Sequence, residues 1–305
     1  MYLKKPSYQK IKKTYLKFIR SQEVLSEPFR DKISQLDNFY LPIGKMINET
    51  YLKKNKTIVI GLTGGQGSGK STISNILKII LKESYNLETV IISIDDFYKT
   101  LKERKIMSKK ISPLFLTRGV PGTHDTKLIL NCIKKLQNIK FQKLIIPRFN
   151  KAIDNREQKK KWQKVTKKPH IVIFEGWCVG AEHQKNKDLL IDINELEKYE
   201  DNKKIWRKRV NQELKKNYKK IYKLIDKIIF LKVPSFKYVF KWRLLQEKKL
   251  RIKSKSKKIM SDKKIKKFIM FYERLTKYML KTLIYKADTV IKIDTNHRLK
   301  EIKFN

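Results

Sequence analysis

The segment from Gly61 to Thr72, GLTGGQGSGKST, follows the short β-branched run TIVI and precedes an amphipathic stretch. Gly64, Gly69, Lys70 and Ser71 fit the pattern GxxxxGK followed by Ser or Thr, in the strand-to-helix context that the pattern requires. Glycines let the backbone turn so that successive N–H groups face inward, and a helix starting near Lys70 adds its positive end; both suit phosphate oxygens. Gly64, Gly65, Gln66, Gly67, Ser68, Gly69, Lys70, Ser71 and Thr72 are therefore the expected nucleotide contacts. Lys70 would neutralise the β and γ phosphates and the Ser71 hydroxyl would ligate Mg²⁺. No GxGxxG can be fitted to these glycines, so a dinucleotide fingerprint is excluded.

From Lys56 onward, short apolar runs alternate with helical patterns: TIVIGL, ETVIISI, KLIIP, HIVIFE, KIIFLKV and DTVIKID. Six such runs predict an α/β fold, a P-loop NTPase-type, mostly parallel sheet flanked by helices. Residues 1–55 carry apolar positions at helical spacing, among them Tyr15, Phe18, Ile19, Ile33, Leu36, Phe39 and Tyr40, and read as an N-terminal helical extension to a phosphate-loop domain spanning 56–305.

A chain of 305 residues with 40% hydrophobic content can bury the core that such a sheet needs. No apolar run approaches the ~20 residues of a membrane helix. The start, MYLKKPSYQKIKKTYLKFIR, lacks a secretory signal's apolar core; it is basic, with no acid before Glu23, but poor in the Arg and Ser of a transit peptide. A cytoplasmic protein is expected. Cys132 and Cys178 are the only cysteines, too few for a disulfide framework, and His124, His170, His183 and His297 show no ligand spacing with them, so no structural metal is expected.

The net charge of +45, from 74 Lys and Arg against 29 Asp and Glu, raises nucleic acid as a partner. Lysine is spread over nearly every surface segment, however, alongside abundant Ile and Asn, as a bias toward AT-rich codons would produce. The densest stretch, KKLRIKSKSKKIMSDKKIKK at 248–267, reads as a solvated helical face before it reads as a polyanion arm or basic lid.

Ligands of open α/β sheets gather at the carboxyl ends of the strands. SIDDFY places Asp95 and Asp96 at one strand end, where a carboxylate could accept a hydroxyl proton; strand alternation would point only one of them at the phosphate. IFEGW places Glu175 at another, where a carboxylate can hold Mg²⁺ directly or through water. Between them, LTRGVPGTHD and PRFNKA supply Arg118, His124, Arg148 and Lys151, a cationic set suited to a small anionic acceptor.

The segments SIDDFY, RGVPGTHD, PRFNKA, FEGWCVG, KWRLLQE and MSDKKIKKFIMFYERLT, in this order after GGQGSGKST, resemble D-glycerate 3-kinase and its kinase relatives, a branch of the group that holds uridine kinase, phosphoribulokinase and bacterial pantothenate kinase. The resemblance covers about residues 56–295. It implies a five-stranded parallel core with helices on both sides, a helical lid, ATP and Mg²⁺ as cosubstrates, and a small hydroxyl-bearing acceptor, D-glycerate. Ser93, Asp95 and Phe97 match SxDxF, which selects Asp95 as general base; Glu175 matches a Mg²⁺ contact; Arg243 in KWRLLQE matches a lid arginine that reaches the phosphates. One departure stands out. The family commonly continues PRxxKS into a glycine-rich stretch ending GDR, whereas this chain reads PRFNKAIDNREQ, which leaves the role of Arg156 open.

The expected activity is transfer of the γ-phosphoryl group of ATP to D-glycerate, giving 3-phosphoglycerate, without a membrane or specific nucleic acid as partner. The alternatives are a kinase of another small hydroxy compound, pantothenate- or uridine-kinase-like, and a nucleotide-regulated nucleic-acid binder. No RNP pattern, helix-turn-helix or zinc finger accompanies the latter.

Overall fold

The computed structural model describes residues 5–23, 29–253 and 261–305. Its helices are α1 (Lys5–Gln22), α2 (Lys32–Gln35), α3 (Leu41–Lys54), α4 (Lys70–Tyr85), α5 (Leu101–Lys110), α6 (Thr126–Gln137), α7 (Ile205–Glu213), α8 (Lys219–Tyr222), α9 (Phe236–Lys253) and α10 (Asp262–Thr282). The strands are β1 (Ile58–Gly64), β2 (Thr89–Ser93), β3 (Leu144–Ile146), β4 (Phe149–Asn150), β5 (Asn155–Arg156), β6 (Gln163–Val165), β7 (Ile171–Gly176), β8 (Lys227–Lys232), β9 (Thr289–Ile293) and β10 (Leu299–Phe304).

Six strands form the main sheet in the order β10-β9-β8-β1-β7-β2. β2, β7, β1, β8 and β9 run parallel, and β10 closes one edge antiparallel to β9. Side-chain alternation sorts the strand residues into two cores. Val59, Val172, Phe174, Phe230 and Val290 face one side, packed against α6, the segment 206–221 and the C-terminal part of α10. Ile58, Ile60, Ile171, Ile173, Ile229, Leu231 and Ile291 face the other, covered by α1, α3 and α4. The helices of residues 5–54 thus share a hydrophobic core with β1 and α4. Long apolar β-branched runs are what a sheet buried on both faces needs.

Two strand expectations change. KLIIP does not enter the main sheet: β3 pairs antiparallel with β6 in a separate two-stranded ribbon, with Ile145 exposed. The sixth main-sheet strand is instead β10, LKEIKF, whose lysine-rich outer face kept it out of the apolar pattern. Of the basic stretch 248–267, residues 254–260 lie outside the described residues. Among the described residues no helix is long and apolar enough to cross a membrane. Cys132 and Cys178 are buried free thiols, each pushed up to about 12 by burial and so held unreactive.

Candidate active site

The phosphate loop joins β1 to α4. Gly67 and Gly69 take φ of 79° and 84°, a left-handed backbone open to glycine at little cost. Gly69 is the N-cap of α4, and the Ile73 amide donates to its carbonyl at 2.9 Å. The amides of Lys70, Ser71 and Thr72 therefore precede the helical ladder, as an anion site at a helix start requires. The loop is held from outside as well. A Cβ on Gly67 would meet Trp242 Cβ of α9 at 2.8 Å, and His297, in the turn before β10, stacks on Trp242 at 3.8 Å with Nε2 2.9 Å from the Gly67 carbonyl.

Lys70 donates to the Gly64 and Gly65 carbonyls at 2.9 Å each. Burial lowers its pKa, against the opposing pull of Glu175 and Asp95. Glu175, at the end of β7, is only 6% exposed and accepts from Ser71 Oγ at 2.8 Å and Ser74 Oγ at 3.2 Å. A sheltered carboxylate beside two hydroxyls is an all-oxygen donor set, which fits a hard divalent cation.

Ser93, the last residue of β2, lies beside Glu175 in the parallel register, which brings SIDDFY next to the phosphate loop. Residues Ile94–Phe97 form a 3₁₀ turn rather than a continued strand, so the two acids diverge through turn geometry and not through strand alternation. Asp95 Oδ2 accepts from Lys151 Nζ at 2.7 Å and Oδ1 from the Tyr98 hydroxyl at 2.8 Å. Burial raises the Asp95 carboxyl, but the Lys151 charge and the hydrogen bonds from Lys151 and Tyr98 outweigh it and hold the pKa at about 2. Asp96 turns away to Arg148 Nη1 at 2.7 Å and the Phe149 amide at 3.2 Å; burial outweighs both, and its pKa rises.

The acceptor loops close over this pair. RGVPGTHD is knotted by Thr123, whose hydroxyl donates to the Val120 carbonyl at 2.7 Å and accepts from the Gly119 amide at 3.0 Å. Trp177 of FEGW donates to the Gly119 carbonyl at 2.8 Å, and Tyr272 of α10 donates to the Arg118 carbonyl at 3.3 Å. Asp125 caps α6 through the Leu128 amide at 3.0 Å. His124, wedged between these anchors, stacks on Tyr98 at 4.6 Å; Tyr98 in turn meets Phe149 edge-on at 5.1 Å, and Arg118 lies over the Phe149 ring at 5.5 Å. Asp95, Arg118, His124, Arg148 and Lys151 thus form one contact network.

One member differs in charge from the cationic set expected of the two loops. His124 is 1% exposed, and desolvation drives its pKa down to about 3 against the pull of Asp95, so it is neutral rather than part of a cationic set. Arg118 is paired with Asp154, which also pairs with the fully buried Arg104 at 2.9 Å. Arg156 reaches the Tyr98 carbonyl at 3.1 Å and Asp125 at 3.4 Å, which places it among the residues that brace both loops. Arg243, on α9, has its guanidinium 5.8 Å over the Phe268 ring of α10, while its neighbour Trp242 is the α9 residue packed on the phosphate loop. Sequence reasoning missed Tyr98, Phe149, Asp154, Tyr218, Trp242 and Tyr272. Tyr98, Phe149, Asp154, Trp242 and Tyr272 stand inside segments already quoted, where a neighbour drew the attention; Tyr218 lies outside all of them and carries no local signal.

The sequence profile of the Phosphoribulokinase / Uridine kinase family matches residues 59–240. The "Uncharacterized kinase mug58" of Schizosaccharomyces pombe is 30% identical over 263 residues, 84% of this chain and 92% of that protein. The chloroplastic D-glycerate 3-kinase of Arabidopsis thaliana is 28% identical over 267 residues, which cover 81% of this chain but 54% of that protein. Among solved structures, a D-glycerate 3-kinase from Cryptococcus neoformans shares the fold with a TM-score of 0.73 at 23% identity, over 87% of this chain and 99% of that one.

Proposed function

Because the chain belongs to the phosphoribulokinase and uridine kinase family, and is an ATP-dependent phosphotransferase, we propose that its acceptor is D-glycerate and its product 3-phosphoglycerate. One observation carries this reading. Asp95, at a strand end beside the phosphate loop, shares a single contact network with Lys151, Arg118 and Arg148, so a group for a hydroxyl proton and groups for a carboxylate stand together. The named activity of the Arabidopsis relative supports it.

In this reading the loop amides and Lys70 align the triphosphate, and alignment with charge stabilisation is most of what such transfer asks of a protein. Ser71 and Glu175 would hold Mg²⁺, which would neutralise charge on the phosphate oxygens. The acceptor's primary hydroxyl oxygen forms a bond to the γ phosphorus, the bond from that phosphorus to the bridging oxygen breaks, ADP leaves, and the hydroxyl proton passes to Asp95. Arg118 and Arg148 grip the acceptor carboxylate, and each Asp95 oxygen, holding one hydrogen bond from Lys151 or Tyr98, keeps a lone pair for the hydroxyl proton.

A second reading, a kinase of an uncharged hydroxy compound, is favoured by the pairing of Arg118 with Asp154, Arg148 with Asp96 and Lys151 with Asp95, and by the neutrality of His124, which together lower the positive charge of the site. ADP release measured with glycerate, pantothenate, uridine and pentose phosphates, followed by NMR of the product, tests the two; uridine is the uncharged member, so its turnover in place of the three anions supports the second reading. Failure with glycerate alongside turnover of another panel member overturns the first reading.

A further inference from the structure

We propose that His124 binds the acceptor as a neutral hydrogen-bond donor through Nε2, in a tautomer imposed by Tyr218. The inference rests on the kinase reading of the site and adds to it a positioning residue, Tyr218, 94 positions away along the chain.

The tautomer follows from counting protons. Tyr218 is fully buried, and its hydroxyl lies 2.5 Å from His124 Nδ1. The same hydroxyl accepts the Gly122 amide proton at 3.1 Å. A phenol carries one proton, and with Gly122 donating into the oxygen, that proton is directed at the Nδ1 lone pair. Nδ1 is therefore an acceptor. An imidazole kept neutral by its desolvated surroundings then carries its own proton on Nε2.

Nε2 is buried and, among the described residues, has no hydrogen-bond partner. Buried polar groups are rarely left unpaired in native structures, and those that are call for an explanation. The position of the ring supplies one. His124 stacks on Tyr98, the residue that donates to Asp95 Oδ1, so the ring stands one side chain away from the proposed base. Closed to bulk solvent, Nε2–H gains its partner with the substrate: a hydroxyl, carbonyl or carboxylate oxygen of the acceptor. A donor of this kind selects oxygen at one position and does so without a charge to desolvate.

The test has two arms. In the free enzyme with ¹⁵N-labelled histidine, long-range ¹H–¹⁵N spectra, with His124 assigned by its loss in His124→Gln, should show the Nε2–H tautomer, and Tyr218→Phe should shift it toward Nδ1–H. In steady-state kinetics with whichever acceptor the panel identifies, His124→Gln, whose amide N–H can stand near the Nε2 position, should keep the acceptor KM within a few-fold. His124→Asn and Tyr218→Phe should each raise it about tenfold, the effect of one lost hydrogen bond, with the ATP KM unmoved. An Nδ1–H tautomer in the free enzyme, equal losses in the Gln and Asn variants, or an ATP KM that rises with the acceptor KM would overturn the proposal. The spectroscopic arm needs no substrate, and the kinetic arm uses any acceptor that turns over, so a wrong assignment of glycerate leaves both arms readable.

Discussion

Lys151 Nζ stands 2.7 Å from Asp95 Oδ2 while Tyr98 holds Oδ1, so both oxygens of the proposed base are engaged before any substrate arrives. Asp96, its neighbour, is spent on Arg148 and the Phe149 amide. Asp95→Asn should therefore lower kcat by roughly 10²–10⁴ with little change in ATP affinity, the range of general-base loss. Asp96→Asn should cost clearly less in kcat and appear mainly in the acceptor KM through Arg148. Steady-state kinetics of the two folded variants at saturating ATP decide between them; the reverse ranking would move the base to Asp96.

Lys151→Met tests the ion pair by pH. The ammonium and its hydrogen bond keep the Asp95 pKa near 2, below the ordinary 3.8. A carboxylate depressed in this way adds stability that is present above the unfolded pKa of 3.8 and lost as pH falls through about 2. Without the ammonium the burial effect, which favours the protonated acid, is left opposed by less. The acid limb of the kcat/KM profile should then move to higher pH, and an unmoved limb in a folded variant would separate Lys151 from control of the base.

Lys70→Ala should abolish ATP turnover while leaving the far-ultraviolet circular dichroism unchanged. Its ammonium contacts two loop carbonyls, Gly64 and Gly65, rather than the core. Retained turnover in the folded variant would refute the assignment of the phosphate loop.

Arg118→Ala should raise the acceptor KM chiefly, with the ATP KM little affected. The guanidinium lies over Phe149 in the acceptor network and is paired with Asp154. A rise confined to the ATP KM would place Arg118 on the phosphate side.

Gly119→Ala should destabilise the protein by about 2–4 kcal/mol, from a left-handed backbone and forced overpacking together. Gly119 has φ of 138°, and a Cβ there would collide with the Tyr272 hydroxyl. Chemical denaturation at fixed pH measures the loss; a wild-type midpoint would mean that the RGVPGTHD loop moves freely off α10.

Some of this was legible in residues read one after another. The phosphate loop is a local object: spacing, glycine conformation and the strand-to-helix context lie within twelve residues, Gly61 to Thr72, and short-range geometry suffices to recognise it. The five parallel strands announced themselves because burial on both faces demands continuous apolar runs, and Asp95 and Glu175 were findable as acids at the ends of those runs. Tertiary structure alone decided where KLIIP and LKEIKF pair, since an edge strand with one wet face and a strand in a detached ribbon lack a distinctive apolar period. It also decided which way the two aspartates point, because a turn and not a strand carries them. Above all it decided charge state. His124 reads as a cation in a basic loop, but Tyr98 and Tyr218, which pack against it, come from other parts of the chain, and only their assembly removes the water that would let the imidazole keep a proton.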